Sequence, residues 1–393
     1  MTTKQLQSFE VFLLIIVVFA GIGIIFQNNI LLFAAGFFIV HLVLTSIYDK
    51  SFSKNLYLRN KKQTIRLFTN EEAVWSLQFE NHSLFPLING EINFNVGSSI
   101  RVLGGNKDKE KYWERIKLPV SIMARKNVKV AVPIAAEKRG TARVSHLTYR
   151  FPHLFTFQKV ALKYYEQYET EFIVYPQLKR VIGLETVFHM NPGETRTKFS
   201  PFEDIQSPIG TREYHDRDAF QHINWKASVR TQVLQTNIYE KVIEGSFVFF
   251  VNIKQNTQIG AADRLENLLS YTAFLCKHVT EQKLSYELFI NAFYPGRRPF
   301  IQQKEGNDRK NLLQSLELLA RIPRQPACTP FEQILYQAAN TLQQPKTIII
   351  LGDIPEGAKK QLQRLKKLRH TIFQVIDTEE SAMIAPLKME RTA

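Results

Sequence analysis

The nine histidines and two cysteines are the side chains best suited to catalysis or to soft metal ions, but their spacing argues against both uses. His215 and His222 flank a predicted helix cap, whereas His278 and His370 each stand alone on a predicted helix. Cys328 has no base near it in sequence, so we expect a buried thiol rather than a nucleophile. Two cysteines also exclude a disulfide scaffold and a four-thiolate zinc site. Because the motifs of phosphate-binding loops, zinc proteases and serine hydrolases are missing as well, we expect no enzyme.

The densest group of charged and aromatic residues lies between positions 207 and 230, in the run SPIGTREYHDRDAFQHINWKASVR. Acidic and basic side chains alternate at its centre, at Arg212, Glu213, Asp216, Arg217 and Asp218. This alternation favours a salt-bridged turn over an acid–base pair. We expect Asp218 to cap a short helix, with Gln221 three positions later completing a capping box.

Two roles fit this segment. Buried arginine–carboxylate pairs and a tryptophan would form a clasp between two domains, because arginine pairs with carboxylates through two nitrogens. Tryptophan, tyrosine and arginine also dominate the energetic centres of protein interfaces, so the same residues would form a docking surface. The two roles are compatible, and both stay open at this point. The residues concerned are Arg212, Glu213, Tyr214, Asp218, Trp225, Lys226 and Arg230.

The chain is strongly basic, with a formal net charge of +15 and a pI near 9.6. Part of the excess crowds the predicted helix before the last predicted strand, at Lys359, Lys360, Arg364, Lys366, Lys367 and Arg369. A basic helix face attracts either nucleic acid or an anionic membrane leaflet. Since no DNA- or RNA-binding motif accompanies it, we rank nucleic acid below a protein-interaction role and keep nucleic-acid or anionic-lipid binding as the alternative function.

The first fifty residues contain two apolar runs, spanning about residues 9–26 and 30–48, joined by Gln27, Asn28 and Asn29. Roughly 20 apolar residues cross a bilayer core as a helix, so we predict a transmembrane hairpin over residues 1–50. A cleaved signal peptide and a buried soluble hairpin are the alternatives. Basic residues flank the outer ends, at Lys4, Lys50, Lys54, Arg59, Lys61 and Lys62. The positive-inside rule therefore places both termini in the cytoplasm.

Two soluble regions follow. Residues 51–180 alternate apolar with polar over several short runs separated by turn residues, which predicts a β-sandwich-like domain. Residues 246–393 alternate strand and helix patterns, which predicts a doubly wound α/β domain. Its predicted strands are Ser246–Ile253, Leu284–Ile290, Lys346–Leu351 and a final one at Thr371–Ile376. Residues 181–245 link the two regions. The predicted fold class is thus α+β multidomain: hairpin, sandwich, then α/β domain.

The linking segment resembles the signature of a bacterial family called domain of unknown function 58. That signature runs approximately R-E-Y, a few residues, G-D, then R-x-I-x-W-K-x-x-A-R. The matching positions are Arg212-Glu213-Tyr214, Asp218, Ile223-x-Trp225-Lys226-Ala227 and Arg230. The similarity extends to Arg139-Gly140, to FPHLFTF at 151–157, to Val174-Tyr175-Pro176 and to the paired apolar runs, so it covers most of the chain.

The chain departs from the family pattern at three places. Arg217 stands where a glycine is usual, Gln221 where arginine is frequent, and His153 in the glycine-containing part of the upstream motif. The resemblance implies a membrane-anchored protein with a von Willebrand factor A-like domain. Members are commonly encoded beside a MoxR-type AAA+ ATPase and a transglutaminase-like membrane protein, which are therefore the partners that the resemblance implies.

Von Willebrand A domains usually hold Mg²⁺ through D-x-S-x-S, a threonine and an aspartate at strand ends. The positions that the resemblance assigns here are Asn252, Lys254, Asn256, Thr329 and Asp353. The leading aspartate and both serines are missing, and one carboxylate is a poor ligand set for a divalent cation. We therefore expect a degenerate site and no cofactor, with Thr329 as the N-cap of a helix that begins at Pro330 and Asp353 as a turn residue; a Mg²⁺ site is the alternative.

The expected protein is a non-enzymatic adaptor in the bacterial inner membrane, with two spans. It would work with a MoxR-type ATPase in a cell-envelope or stress-related assembly.

Overall fold

The computed structural model describes residues 3–59, 62–104, 106–109, 113–156, 158–164, 169–189, 203–215, 218–241, 246–254, 261–293, 299–377 and 381–387. The chain divides into two compact units, Met1–Val174 and Tyr175–Ala393. Helices and several sheets are both present, which confirms the mixed α and β content expected from the sequence.

The first unit begins with two helices, α1 (Thr3–Ile25) and α2 (Asn29–Asn55). A tight turn joins them, with Gln27 in the left-handed region at φ 48° and the Asn28 side chain accepting the Ile30 N–H at 3.0 Å. The helices pack on each other where Phe19 stacks on Phe38, with ring centroids 6.0 Å apart.

In α2, the segment Asn29–Phe52 has a mean hydropathy of 2.4 and is long enough to cross a membrane. In α1, the described apolar stretch is the shorter Leu13–Ile25. One helix near the N-terminus therefore has the length and composition of a membrane span.

The rest of this unit consists of two antiparallel sheets. One has four strands in the order β1-β3-β8-β5, and the other has the order β2-β11-β9-β4-β7-β6, with β10 added on β9. The strands are β1 (Leu56–Leu58), β2 (Lys62–Phe68), β3 (Glu72–Asn81), β4 (Glu91–Gly97), β5 (Ile100–Val102), β6 (Asn106–Lys109), β7 (Trp113–Pro119), β8 (Asn127–Ala136), β9 (Gly140–Pro152), β10 (Lys159–Lys163) and β11 (Glu169–Tyr175).

The two sheets enclose one apolar core. Trp75 of β3, which is 1% exposed, packs edge-on against Phe94 of β4 and Phe172 of β11, at centroid distances of 5.2 and 5.7 Å. Alternate residues of each strand supply this core, because successive side chains of a strand point to opposite faces. Face-to-face packing of two such sheets is the arrangement that the alternating sequence pattern predicts.

The C-terminal end of α2 packs against the β-strands of the first unit. Tyr48 and Phe52 are 1% and 5% exposed and lie among aromatic rings from the strand loops. The ring of Tyr48 is 4.6 Å from that of His153, and Phe52 is 5.2 Å from Phe151. These two buried aromatic side chains anchor the C-terminal end of α2 on the sheets.

The second unit carries a seven-stranded sheet of order β12-β22-β21-β20-β15-β16-β18, a two-stranded ribbon β13-β14, and a short pair β17-β19. Its strands are β12 (Val181–Ile182), β13 (Glu203–Glu213), β14 (Gln235–Lys241), β15 (Ser246–Val251), β16 (Ser285–Ile290), β17 (Ala292–Phe293), β18 (Ile301–Gly306), β19 (Ala327–Cys328), β20 (Thr347–Leu351), β21 (Thr371–Asp377) and β22 (Ala382–Pro386). Its helices are α3 (Leu184–His189), α4 (Trp225–Thr231), α5 (Ala261–Glu281), α6 (Arg309–Arg321), α7 (Phe331–Thr341) and α8 (Lys359–Lys367).

The centre of the seven-stranded sheet is parallel. β15 lies between β16 and β20, with Phe249 opposite both Leu288 and Ile349, and β21 follows β20 in the same direction. β18 and β22 run antiparallel to their inner neighbours. Helices cover both faces: α7 and α8 bury Leu335 and Leu362 on one side, whereas α5 and α6 lie on the other, where Tyr286 bonds Ser315.

The structure adds elements that the sequence patterns do not predict. The strand Thr371–Asp377 is followed by β22, so the expectation that it is the last strand is wrong. The antiparallel edge strand β18 has the polar sequence IQQKEG and gives no apolar signal, because an edge strand buries little of its surface.

Candidate functional site

The segment that carries the family resemblance folds as a ribbon with a short helix. β13 and β14 pair antiparallel from Glu203 opposite Lys241 to Glu213 opposite Gln235, and α4 lies in the connection between them. Residue Ile223 is 6% exposed and forms an isolated bridge to Thr236, which ties the connection to β14. The ribbon, the connection and α4 are called the signature hairpin below.

A bidentate ion pair closes the turn after β13. The Nη1 and Nη2 atoms of Arg212 donate to Oδ2 and Oδ1 of Asp218 at 2.7 and 2.6 Å. Asp218 Oδ2 also accepts the His215 N–H at 2.9 Å, and the Tyr214 hydroxyl donates to the Asp218 carbonyl at 3.2 Å. The hydrogen bonds from Arg212 and His215 lower the pKa of Asp218 to about 2.

The capping role predicted for Asp218 is wrong. Residues 220–222 form a single 3₁₀ turn with no side-chain cap, and α4 begins later, at Trp225. The cap of α4 is Asn224, whose Oδ1 accepts the Ala227 N–H at 3.0 Å. Asp218 does not cap a helix because none begins directly after it, and its carboxylate instead binds Arg212 and the His215 N–H.

The signature hairpin leaves large apolar side chains in solvent. Trp225 is 58% exposed and Phe220 69%, and their rings meet edge to face at 5.9 Å. Val229, one helical turn after Trp225, is 80% exposed. Lys226 and Arg230 form a parallel exposed basic row on α4. Arg212 and Glu213 are exposed at the end of β13, so five of the seven predicted residues are at the surface, whereas Tyr214 and Asp218 are half-buried.

The second predicted site lies where the parallel strands end. Asn252 follows β15 and is 4% exposed. Its Nδ2 donates to the Asp353 carbonyl at 2.6 Å, and its Oδ1 accepts from the Lys254 N–H at 3.2 Å. The Asp353 side chain itself is exposed. Asn256, the third predicted position, lies outside the described residues.

Asn291, to which no sequence motif points, completes this network. Asn291, which is fully buried after β16, donates to Oδ1 of Asn252 at 2.6 Å and accepts the Ile253 N–H at 2.7 Å. It also donates to the Thr329 carbonyl at 3.3 Å and accepts the Thr329 N–H with its own carbonyl at 2.9 Å. The side-chain amides of Asn252 and Asn291 thus join the ends of β15, β16 and β20.

The N-cap role predicted for Thr329 is also wrong. α7 begins at Phe331, Pro330 stands at the cap position, and no side chain caps the helix. The Thr329 hydroxyl donates to the Pro299 carbonyl instead. Because its hydroxyl is bonded to Pro299, Thr329 does not bind the amides of α7. Its position before a proline therefore does not by itself make it a helix cap.

Gly352 lets the chain pass close to this network. Its φ is +95°, and a Cβ built on it would lie 2.3 Å from the Asn252 carbonyl oxygen. Beside it opens a cleft of about 500 Å³, lined by Asn252, Asp353, Arg264, Tyr271 and Asp377 among others. Among the described residues, no group of three or more His, Cys, Asp or Glu is placed to share a metal ion.

The thiols are poorly placed for chemistry. Cys276 is fully buried, and burial raises the pKa of its thiol to about 12. Burial also raises the pKa of Cys328. A thiol with a raised pKa is protonated at neutral pH and is a weak nucleophile.

No family model matches the chain, and a search of curated proteins gives no match either. Solved structures with similar parts include a PapD-like domain of human CEP192, at 16% identity and a TM-score of 0.20, covering 30% of this chain and 84% of that one. A cohesin from Archaeoglobus fulgidus shows 9% identity and a TM-score of 0.21, covering 35% and 97%. The alpha-2-macroglobulin of Escherichia coli shows 11% identity and a TM-score of 0.22, covering 32% and 7%. Similarity at this level supports no functional argument.

Proposed function

We propose that the protein is a membrane-anchored, non-enzymatic adaptor of the domain of unknown function 58 family, which docks on a MoxR-type AAA+ ATPase through its signature hairpin. The observation that carries this proposal is Trp225, a large aromatic side chain that is 58% exposed on a helix with its own N-cap. Exposed apolar clusters on an ordered element are typical of protein interfaces, and tryptophan is the residue most enriched at their energetic centres.

The chemistry of α4 defines the surface that the partner must offer. Trp225 and Val229 lie one helical turn apart and form an apolar row, while Lys226 and Arg230 form a basic row beside it. The complementary surface is an apolar pocket with carboxylates along one rim. The Arg212–Asp218 pair has a positioning role, since it fixes the turn that leads into α4.

The strand order supports a von Willebrand factor A-like assignment of the second unit. Counted along the chain, β15, β16, β18, β20, β21 and β22 lie in the spatial order 3-2-1-4-5-6, with helices on both faces. In such sheets, ligands bind beyond the carboxyl ends of the strands where the order reverses, here between β15 and β20. The Asn252 network stands at that point.

We propose that this strand-end site holds no metal. Both side-chain polar atoms of Asn252 are used within the protein, and Asn291 fills the position between the strand ends. Amide groups are neutral and cannot balance the charge of a divalent cation, which prefers carboxylate oxygens.

We place the protein in the bacterial inner membrane with two spans and both termini in the cytoplasm. The apolar length of α2, the polar turn at Gln27 and Asn28, and the basic flanks support this arrangement. A cysteine introduced at Asn28 is then labelled by a membrane-impermeant thiol reagent in intact cells, whereas one introduced at Lys129 of the β unit is not. The transglutaminase-like membrane protein is a further proposed partner, and the setting is a cell-envelope or stress-related assembly.

Affinity purification from the organism's own membranes tests the adaptor proposal. The detergent-solubilised full chain is compared with Trp225→Ala, Asp353→Ala and the control Tyr336→Ala, which removes another exposed aromatic ring, 53% exposed on α7. We expect wild type and the Tyr336 variant to recover an AAA+ ATPase, and Trp225→Ala to lose most of it. Recovery of the ATPase that is equal in all four proteins would contradict a docking role for Trp225.

The alternative function rests on the basic face of α8. Leu362 and Leu365 are buried, while Lys359, Lys360, Lys366 and Lys367 are exposed, so the helix turns its cationic side to solvent. Binding of anionic lipid or nucleic acid by this face would fall steeply with salt. Purification of nucleic acid alone, released by moderate salt, would favour this alternative over the adaptor.

A further inference from the structure

Loops of the first unit surround the C-terminal end of α2. The ring of Tyr48 lies 5.3 Å from that of Phe85, in the loop between β3 and β4, and 5.7 Å from that of Phe155, in the loop between β9 and β10. The His82 N–H donates to the carbonyl of Asn55, the last residue of α2, at 2.8 Å. Both loops therefore pack on the helix at the end that joins it to the strands.

The length of α2 places this end at the lipid–water boundary. Asn29–Phe52 has 24 residues and makes about 36 Å of helix, slightly more than the ~30 Å hydrocarbon core of a bilayer. With the polar turn at Asn28 on the opposite side of the membrane, the core ends near Tyr48. The Phe155 ring reaches deeper, because it lies 6.4 Å from the ring of His41, which precedes Tyr48 by about 10 Å of helix.

A rigid turn between β3 and β4 exposes Leu84. Oδ1 of Asn81 accepts the Ser83 N–H at 3.0 Å, and Oγ of Ser83 donates to the Phe85 carbonyl at 2.8 Å. Nδ2 of Asn81 donates to the carbonyls of both Phe85 and Met123, at 3.0 and 3.1 Å, so the loop between β7 and β8 lies beside this turn. Leu84 and Met123 are nevertheless 63% and 54% exposed. Two ordered, neighbouring loops thus leave large apolar side chains uncovered.

Backbone hydrogen bonds tie the two loops together. The Arg125 N–H donates to the Ser83 carbonyl at 3.1 Å. Leu87 and Ile122 exchange two backbone hydrogen bonds of 2.8 Å each. Backbone groups that enter a bilayer must find their partners inside the protein, because water is not available there. Loops bonded in this way suit the lipid interface, where their apolar side chains gain free energy by leaving water.

Two cations follow Met123 in the second loop. Arg125 and Lys126 are exposed, and neither forms an ion pair with a carboxylate in the described part of the chain. Glu80, on the neighbouring strand β3, is engaged by Arg59 and His82 at 3.1 and 3.5 Å. Free cations beside an apolar tip complement the anionic lipids of a cytoplasmic leaflet.

We propose that these loops enter the cytoplasmic leaflet, so that the first unit lies directly on the bilayer surface. Leu84 and Met123 insert at the boundary between head groups and acyl chains, and Arg125 and Lys126 bind the phosphates of anionic lipids. This inference rests on the proposed membrane anchor and is independent of the docking role of the signature hairpin. A second membrane protein that covers the same loops is the competing occupant, and the test distinguishes it from lipid.

The test measures lipid contact in nanodiscs that contain phosphatidylglycerol. The full chain carries Cys328→Ser, and Cys276 is buried, so an introduced cysteine is the reactive one. Leu84→Cys and Met123→Cys are each labelled with a bimane fluorophore. Lipids that carry a nitroxide, either near the head group or near the end of the acyl chain, quench a fluorophore at their own depth.

Two further positions serve as controls. Phe37→Cys, at a residue 64% exposed in the middle of α2, reports on the membrane anchor itself. Val74→Cys replaces another exposed aliphatic residue, 66% exposed on β3. It lies seven residues, about 23 Å, from Asn81 on the side away from α2, because β3 runs antiparallel to the strand that leaves α2.

We expect the nitroxide near the head group to quench positions 84 and 123, the nitroxide near the chain end to quench position 37, and neither to quench position 74. Quenching at position 37 without quenching at 84 and 123 would overturn the proposal and leave the anchor intact. Absence of quenching at position 37 would contradict the anchor and the proposal together. Positions 84 and 123 that are shielded from water-soluble thiol reagents in native membranes, yet are not quenched in nanodiscs, would identify a protein as the occupant and overturn the lipid assignment.

The two cations have a test of their own. In Leu84→Cys, the further change of Arg125→Gln with Lys126→Gln is expected to lower quenching in phosphatidylglycerol to the level seen in phosphatidylcholine. The same variant in phosphatidylcholine is the control and is expected to show no change. Quenching in phosphatidylglycerol that the double substitution leaves intact would overturn the role assigned to Arg125 and Lys126.

Discussion

Arg212 holds Asp218 with both terminal nitrogens of its guanidinium, at 2.7 and 2.6 Å, across the turn that leads from β13 towards α4. The pair joins residues six positions apart in sequence and sets the path of the chain into the helix that displays Trp225. A side chain that the sequence suggests as a helix cap thus works as one half of an ion pair.

The titration of Asp218 reports this pair directly. Its pKa is lowered from 3.8 to about 2, chiefly by the hydrogen bonds from Arg212. Because the folded pKa lies below the ordinary one, the ionised carboxylate stabilises the turn at any pH above 3.8, and this contribution is lost as the pH falls towards 2. Carbonyl-carbon NMR of the labelled protein measures the titration. In Arg212→Gln we expect the Asp218 midpoint to rise towards 3.8; an unchanged midpoint would show that Arg212 does not hold the carboxylate in solution.

The cap of α4 can be removed without touching the exposed face. Asn224→Ala deletes the oxygen that accepts the Ala227 N–H, and loss of such a cap typically costs about 1 kcal/mol. Asn224→Asp keeps an acceptor at the same place and serves as the matched control. Hydrogen exchange at the amides of Ala227 and Ser228 is expected to accelerate about fivefold in the alanine variant and little in the aspartate variant. Equal protection in both would contradict the cap.

At the strand-end network, the backbone conformation and close packing at position 352 require glycine. Alanine there would place a Cβ 2.3 Å from the Asn252 carbonyl oxygen in a backbone with φ +95°, so we expect a loss on the order of 3 kcal/mol or more in the free energy of unfolding. The control is Gly357→Ala, whose Cβ would meet only the flexible end of Glu332 at 2.8 Å. Chemical denaturation of the two variants measures the difference, and a mild effect at Gly352 would contradict the described loop.

His153, which contacts Tyr48 and Asp49 of α2, makes the stability of the first unit depend on pH. Its ring is buried, its Nδ1 accepts the N–H groups of Phe155 and Thr156 at 3.2 Å each, and burial lowers its pKa below 6.5 despite the nearby Asp49. Protonation of Nδ1 would place its N–H against the N–H groups of Phe155 and Thr156, which are also donors. Since the folded pKa lies below the unfolded one, stability is full above pH 6.5 and falls as the pH drops below it.

Urea denaturation at pH 7.5 and pH 5.5 measures this dependence. We expect the wild-type β unit to be less stable at pH 5.5, by an amount that His153→Gln largely removes. A wild-type stability that is constant or rises towards pH 5.5 would contradict a buried neutral imidazole.

The sequence predicts the elements whose signal is continuous. Ser246–Val251 and Thr347–Leu351 lie within predicted strands, and each is apolar after its first residue because it is covered on both faces. The edge strand Ile301–Gly306 escapes prediction because it needs no apolar face on either side.

The candidate sites were harder to predict than the fold elements. Asp218 and Asn224 both have side chains that cap helices well, and the choice between them depends on where the helix begins, which is at Trp225, directly after Asn224. Asn291 lies 39 residues from Asn252, its partner, and no local pattern connects the two. The exposure of Trp225 is likewise not predictable from local sequence. A tryptophan in a charged segment is compatible both with a buried contact between domains and with an exposed docking surface.

Site-specific photocrosslinking from α4 tests the central claim most directly. A benzoylphenylalanine replaces Trp225 in the full chain in living cells, and the same residue replaces Tyr336 on α7 as the control. The adaptor account predicts a crosslink from position 225 to a MoxR-type AAA+ ATPase, reduced by Lys226→Glu and Arg230→Glu, and none from position 336. Crosslinks from position 225 that stay within the chain would contradict docking and identify the signature hairpin as an internal clasp.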